Sequence, residues 1–299
     1  MTGLYSFVRR NNKLFFKDKA MFFTSLITPI LLLVLYSTFL ANVYRDSFLM
    51  SMPEGFSIPD KLIDGTVGGE IFSSLLAVSC VTVSFCCNML MVSDKVSGAR
   101  RDLTVSPVKG STLALGYYLS TLLSTLIVCL VAAAACFIYV AATGWYLSVG
   151  DVFMILLDIF LLVMFGTALS SIVNFFLISQ GQISAVGTVV SAGYGFICGA
   201  YMPISQFGEG LQKVIMCLPG TYGTSLLRNH AMRGVFEEMK SQGFPSEVVE
   251  TIRGSVDCNL EFFGFKVGIG AMYAVLCGSI VLLIGIYVIM NILVGKRKK

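Results

Sequence analysis

The chain is written in long blocks without charge, separated by short polar or charged punctuation. A helix needs about 20 apolar residues to cross the ~30 Å hydrocarbon layer, so each block can be counted in crossings. Ala20 to Tyr44 supplies one, and Ile71 to Ser93 a second. Gly110 to Gly150 is longer than one helix needs; it predicts a crossing over 113–140 and a Thr143-Gly144-Trp145 turn at the outer interface, where Trp is favoured. Ile159 to Gly208 is divided by the polar knot Ser179-Gln180-Gly181-Gln182, giving crossings over 159–178 and 183–202. Val267 to Gly295 is the last. The expected spans are thus 20–44, 71–93, 113–140, 159–178, 183–202 and 267–295.

Composition fixes the class that the pattern suggests. Hydrophobic residues make up 56% of the 299 residues and charged ones 13%, against about 25% charged in soluble domains. A water-soluble fold of this size cannot hide so much apolar surface. Abundant Phe, Leu, Ile and Val exclude disorder, collagen and a disulfide scaffold. The expected fold is an all-α integral membrane protein: six transmembrane helices, an interfacial helix over 1–19 and a helical extracellular cap over 203–265.

Charge orients it. Arg9, Arg10, Lys13, Lys17 and Lys19, then Lys95, Arg100, Arg101 and Lys109, then Lys296 to Lys299 fall on one side of the six crossings, and most acids on the other. Basic residues mark the cytoplasmic side, so both termini are expected there, in a bacterial plasma membrane. The first block is too long for a signal peptide and lacks a small-x-small cleavage site. Before it, Leu4, Phe7, Val8, Leu14 and Phe15 recur at helical spacing against Arg9, Arg10, Lys13 and Lys17, the stripe of a helix lying among headgroups. A plain positive-inside anchor is the simpler alternative.

Candidate chemistry is sparse. The chain has no phosphate loop, no H-E-x-x-H and no G-x-S-x-G. The single histidine, His230, stands near Arg228 and Arg233 in an outer segment and is expected to be solvated. Asp158 is the one candidate intramembrane acid, and a span starting at Ile159 lets it stay at the outer interface. Nine cysteines show no metal-ligand spacing, so no metal site is expected. Cys217 and Cys258 lie in the outer segment, either bridged or as two free thiols. Gly187, Ser191, Gly195 and Gly199 fall every four residues, as do Gly270, Ala274 and Gly278; such stripes serve helix packing, a subunit contact or the wall of a path. The 94–109 loop gathers Asp94, Lys95, Arg100, Arg101, Asp102, Lys109 and Pro107 between two spans. The outer segment holds an amphipathic stretch around Leu211 to Ile215, a helix from about Thr221, and a shorter one from Pro245-Ser246 to Gly254.

Three blocks resemble the type-2 ABC exporter permeases, in order and nearly end to end. The first is Arg9-Arg10-Asn11 with Phe16-Lys17-Asp18-Lys19 and then Pro29; it is similar to the family's interfacial helix and kinked first crossing. The second, Ser97-Gly98-Ala99-Arg100-Arg101-Asp102-Leu103-Thr104-Val105-Ser106-Pro107-Val108, resembles the loop helix that docks on the ATPase subunit, departing at Ala99-Arg100 where relatives usually carry an acidic step. The third is Gly199 to Pro203, Leu218-Pro219-Gly220-Thr221-Tyr222 and Leu226-Leu227-Arg228, similar to the segment that leaves span five and re-enters the outer leaflet. The resemblance implies a half-transporter with no cofactor of its own. A separate nucleotide-binding subunit would hold ATP and Mg, and a second permease subunit, the same or different, would complete the unit. Ser97, Gly98, Arg100, Arg101, Asp102 and Pro107 would couple to the ATPase; Pro203, Pro219, Tyr222 and Arg228 would build the outer re-entrant segment. The implied cargo is an amphiphile (drug, antibiotic or lipid-like) moved along a path walled by spans one, two and five, with membrane lipid but no nucleic acid as a partner. Export of a lipid-linked polysaccharide or teichoic-acid precursor is the alternative within the class. A non-transporting scaffold or immunity protein is the alternative outside it.

Overall fold

The computed structural model describes residues 2–50, 59–105 and 109–297. Five helices among them are long and apolar enough to cross a membrane: Lys19–Phe39, Asp60–Val96, Gly110–Thr143, Val149–Phe176 and Ile269–Leu293. The chain is an all-α multi-pass membrane protein apart from one small hairpin. Two ends of the bundle can be told apart, a basic end and a cap end.

At the basic end, α1 (Thr2–Lys17) lies against α7 (Gly110–Thr143). Its inner face buries Asn11 and Phe15, and the Phe7 ring meets Tyr117 edge-on at 4.9 Å. Arg9, Lys13 and Lys17 stay exposed. Asp18 caps the next helix by accepting from the Met21 amide at 3.1 Å. That helix, α2 (Lys19–Leu35), runs through Pro29 into a π turn at Tyr36–Leu40 and on as α3 (Ala41–Met50).

The centre is α4 (Asp60–Cys87), buried along nearly its whole length. From Thr66 onward it is apolar or small all round except for Glu70, as befits a helix enclosed on every side. Gly65, Gly68, Gly69, Ser73, Ser74 and Ala77 let α2, α7, α8 (Val149–Phe176), α9 (Gln180–Ile197) and α11 (Pro219–Ser241) close on it. This corrects the second span, which starts at Asp60 rather than Ile71 and so carries Glu70 into the interior. Asn88 then separates α4 from α5 (Met89–Val96), and α6 (Ala99–Val105) follows.

Gly144 ends α7, and a capping box between Ser148 and Asp151 starts α8 ten residues or so before the expected Ile159. Asp158 is therefore well inside a helix, not at its edge. The last crossing is α13 (Ile269–Arg297). In α9, Gly, Ser and Gln dilute the apolar residues, and it is not among the five apolar helices although it too runs from the basic end to the cap end.

The cap end consists of a short turn at Ile204–Gln206, α10 (Glu209–Met216), α11, α12 (Ser246–Ser255) and the antiparallel pair β1 (Leu260–Phe262) and β2 (Phe265–Val267). Phe263 and Gly264 turn this hairpin with φ of 49° and 86°, the double left-handed step of a tight two-residue turn. Pro219 opens α11 at its first turn, where a missing N–H costs nothing. Its apolar and small face does not lie over the bundle; it inserts between α4, α8 and α13.

Candidate functional site

Two clusters of polar groups stand out from the apolar bundle. The first is the elbow of α5 and α6 at the basic end. Gly98 takes φ of 84°, a left-handed step that a side chain resists, and this reverses the chain from α5 into α6. Ser97 caps α5 and is exposed. Asp94 is buried and binds two other helices: Arg10 of α1 at 2.9 Å and the Tyr117 hydroxyl of α7 at 2.7 Å. Lys95 donates to carbonyls at the end of α8. Arg100, expected to face the ATPase, is turned onto the bundle instead. It donates to Asn291 Oδ1 of α13 at 3.1 Å and stands 5.7 Å over the Phe175 ring. Arg101 and Asp102 are exposed on α6. Pro107, with Ser106 and Val108, lies outside the described residues.

The second cluster is held by α11 at the cap end. Arg228 is fully buried and donates in three directions: to Asp257 at 2.9 Å, to Ser74 Oγ at 3.1 Å and to the Gly199 carbonyl at 2.7 Å. Asp257 also accepts from the Ile204 amide at 3.0 Å, so one carboxylate fixes both α11 and the turn after Pro203. Burial pushes the Asp257 carboxyl above the ordinary range, and the adjacent guanidinium pulls it back down. Tyr222 donates to the Met216 carbonyl at 2.7 Å, closing Pro219 and the start of α11 onto α10. These contacts join Pro203, Pro219, Tyr222 and Arg228 in one folded unit. Between α10 and the hairpin lies a groove of about 430 Å³, lined by Glu209, Lys213, Met216, Glu261 and Phe263 among others.

Two expectations for this region are overturned. His230 is not solvated: it is buried, with Nδ1 2.6 Å from Asp158 Oδ2. Asp158 is not left ahead of its helix: it is enclosed within the protein, and the Tyr273 hydroxyl of α13 donates to its other oxygen at 2.6 Å. One turn further along α11, Arg233 pairs with Asp151 at 2.7 Å. Burying these charges is tolerable only because each has a partner.

The small-residue stripes also resolve differently from a continuous face. In α9, a Cβ on Gly187 would meet Met89 at 3.7 Å, an ordinary contact, while the Ser191 carbonyl accepts from the Tyr201 hydroxyl at 3.2 Å. Gly195 is closed down on the Tyr201 ring, where a Cβ would come within 2.3 Å. Gly199 lies beyond the helix with φ of 70° and its carbonyl on Arg228. Ser191, Gly195 and Gly199 therefore serve the chain's own turn out of α9, while Gly187 lies beside α5. Gly270 and Gly278 face open space, with Ala274 exposed between them.

Cys217 and Cys258 are both free, one exposed and one buried. Burial pushes the Cys258 thiol up to about 12, which keeps it protonated and inert. Among the described residues no group of three His, Cys, Asp or Glu is placed to hold a metal ion.

No curated protein matches the chain. A family described as ABC-2 type transporter matches residues 2–231, which takes in α1, the elbow, all helices to α9 and the inserted half of α11. The chain belongs to the ABC-2 type transporter family, as a membrane-spanning permease.

Proposed function

We propose that the chain is the permease half of an ATP-driven exporter of amphiphilic molecules, with ATP and Mg held on a separate nucleotide-binding subunit. Its basic end faces the cytoplasm, following the distribution of Lys and Arg. The observation that carries the reading is the exposure of Arg101 and Asp102 on α6, which would be the docking point for that ATPase. A charged helix held at one end of an apolar bundle presents its polar side to water, where a cytoplasmic partner can reach it. A second permease subunit covers α2 and α9, the two helices whose outward faces expose Phe23, Ile27, Leu31, Val189 and Phe196. The cap groove, with acids and a lysine above Met216 and Phe263, suits a cargo that is part apolar and part charged.

Charge reversal tests it. Asp102→Lys reverses the charge of an exposed side chain on α6, and the yield of monodisperse protein checks that insertion and folding are kept. The partner ATPase should then copurify at least tenfold less, a loss of about 1.4 kcal/mol or more in association. Undiminished copurification removes α6 as the docking point.

A further inference from the structure

The elbow does more than present α6. Asp94 and Lys95 are neighbours on α5 but reach in opposite directions: Asp94 to α1 and α7, Lys95 to the end of α8. The Lys95 ammonium gives its three hydrogens to three carbonyls, Asn174 at 2.8 Å, Phe175 at 2.6 Å and Leu177 at 2.9 Å. A helix leaves its last carbonyls without partners and carries partial negative charge there, so one cation answers both needs. The Phe175 ring lies beneath Lys95 at 5.6 Å and beneath Arg100 at 5.7 Å, so the first turn of α6 and the end of α8 share a contact.

The path of the chain beyond Leu177 gives this cap its meaning. It turns through Ile178 and Ser179 directly into α9. That turn is stiff: Ser179 Oγ accepts from the Gln182 amide at 3.3 Å, and Gln182 Oε1 accepts from the Ile178 amide at 2.8 Å. A displacement of the Leu177 carbonyl is therefore delivered to the base of α9. At its far end α9 closes on Tyr201, and the carbonyl of Gly199 just beyond binds Arg228 of the cap.

We infer that Lys95 is the positioning residue that carries movement of α6 into α9, and through it to the cap. This rests on the proposed docking of the ATPase at α6. Docking or ATP binding shifts α6; Gly98 and α5 carry the shift to the ammonium; the three carbonyls pass it to the turn between α8 and α9. Asp94 holds the opposite side of α5 still against α1 and α7, which makes α5 a lever with a fixed point.

Hydrogen exchange of the assembled complex, with and without ATP and vanadate, reads each link without needing a cargo. In the unaltered complex, ATP should change protection over both 99–105 and 180–197. Lys95→Met should keep the change at 99–105 and lose it at 180–197, while Lys95→Arg, which can still donate to several carbonyls, should restore it. If Lys95→Met frays the end of α8 in every state but leaves the ATP-dependent change at 180–197 intact, Lys95 is a cap only and the inference is overturned. No ATPase-dependent protection at 99–105 in the unaltered complex would instead overturn the docking itself, and the inference with it.

Discussion

Arg228→Ala should lower the stability of the detergent-solubilised protein by about 3–5 kcal/mol, the usual cost of removing one partner from a buried ion pair. For a chain of this size, that corresponds to a fall of roughly 10 °C in the thermal midpoint. The guanidinium is fully buried, and its loss leaves Asp257 enclosed with only the Ile204 amide, and Ser74 and the Gly199 carbonyl without their donor. Three parts of the fold come loose together: α11, the turn after α9 and the approach to β1. Lysine is a poor substitute, since a single ammonium cannot reach Asp257, Ser74 and Gly199 as the planar fork does. Arg228→Met combined with Asp257→Leu should recover only part of the loss: it removes the unpaired Asp257 carboxylate, but the Ile204 amide, the Gly199 carbonyl and the buried Glu70 still lose a partner. A midpoint that falls by less than about 2 °C in Arg228→Ala would show that the cap does not depend on this pair.

The second large effect is expected at Gly234, on the same helix. Glycine within a helix normally costs about 1 kcal/mol relative to alanine, so Gly→Ala should stabilise. Here the sign reverses. A Cβ on Gly234 would lie 1.8 Å from the Tyr146 carbonyl oxygen and 2.8 Å from its carbon, and both are backbone atoms that cannot swing away. The helix must instead retreat from the connection between α7 and α8. That would pull on the adjacent pairing of Arg233 with Asp151 and on its contact with Ser148 at 3.3 Å. Gly234→Ala should therefore cost about 3 kcal/mol, the upper part of the range for overpacking. Gly270→Ala provides the control, since nothing lies near its Cβ, and it should leave the midpoint unchanged or slightly raised. Equal midpoints for the two variants would show that the Gly234 approach is relaxed without cost.

The features legible in the sequence are those written locally. Long apolar runs announce a membrane bundle, and proline before a polar stretch announces the starts of α11 and α12. Depth is not legible. Asp60, Lys61 and Asp64 break the apolar count, so counting starts α4 too late and leaves Glu70 outside. Yet a helix can continue past the hydrocarbon layer, and its burial there is decided by neighbours. His230 and Asp158 meet across 72 positions of sequence and Tyr273 across 115, distances at which periodicity carries no information. One signal is available. In a chain with so few charges, Arg228, His230 and Arg233 on one short segment require acids, and Asp151, Asp158 and Asp257 supply them. Gly199 carries a signal too: a glycine followed by Pro203 ends a helix more naturally than it extends a stripe.

The π turn in the first crossing decides which way the cap-end half of that helix faces. Tyr36 and Tyr44 both donate to the Ala200 carbonyl, each at 3.2 Å, so both project from one side of the helix. In a regular α-helix, residues eight apart differ by about 80° in direction, whereas residues seven apart nearly coincide. The widened turn at Tyr36–Leu40 takes up one residue in its looser hydrogen bonding, and eight then behaves as seven. The turn thus shifts the facing of everything beyond it by one residue, which brings Tyr44 onto the carbonyl that Tyr36 already holds.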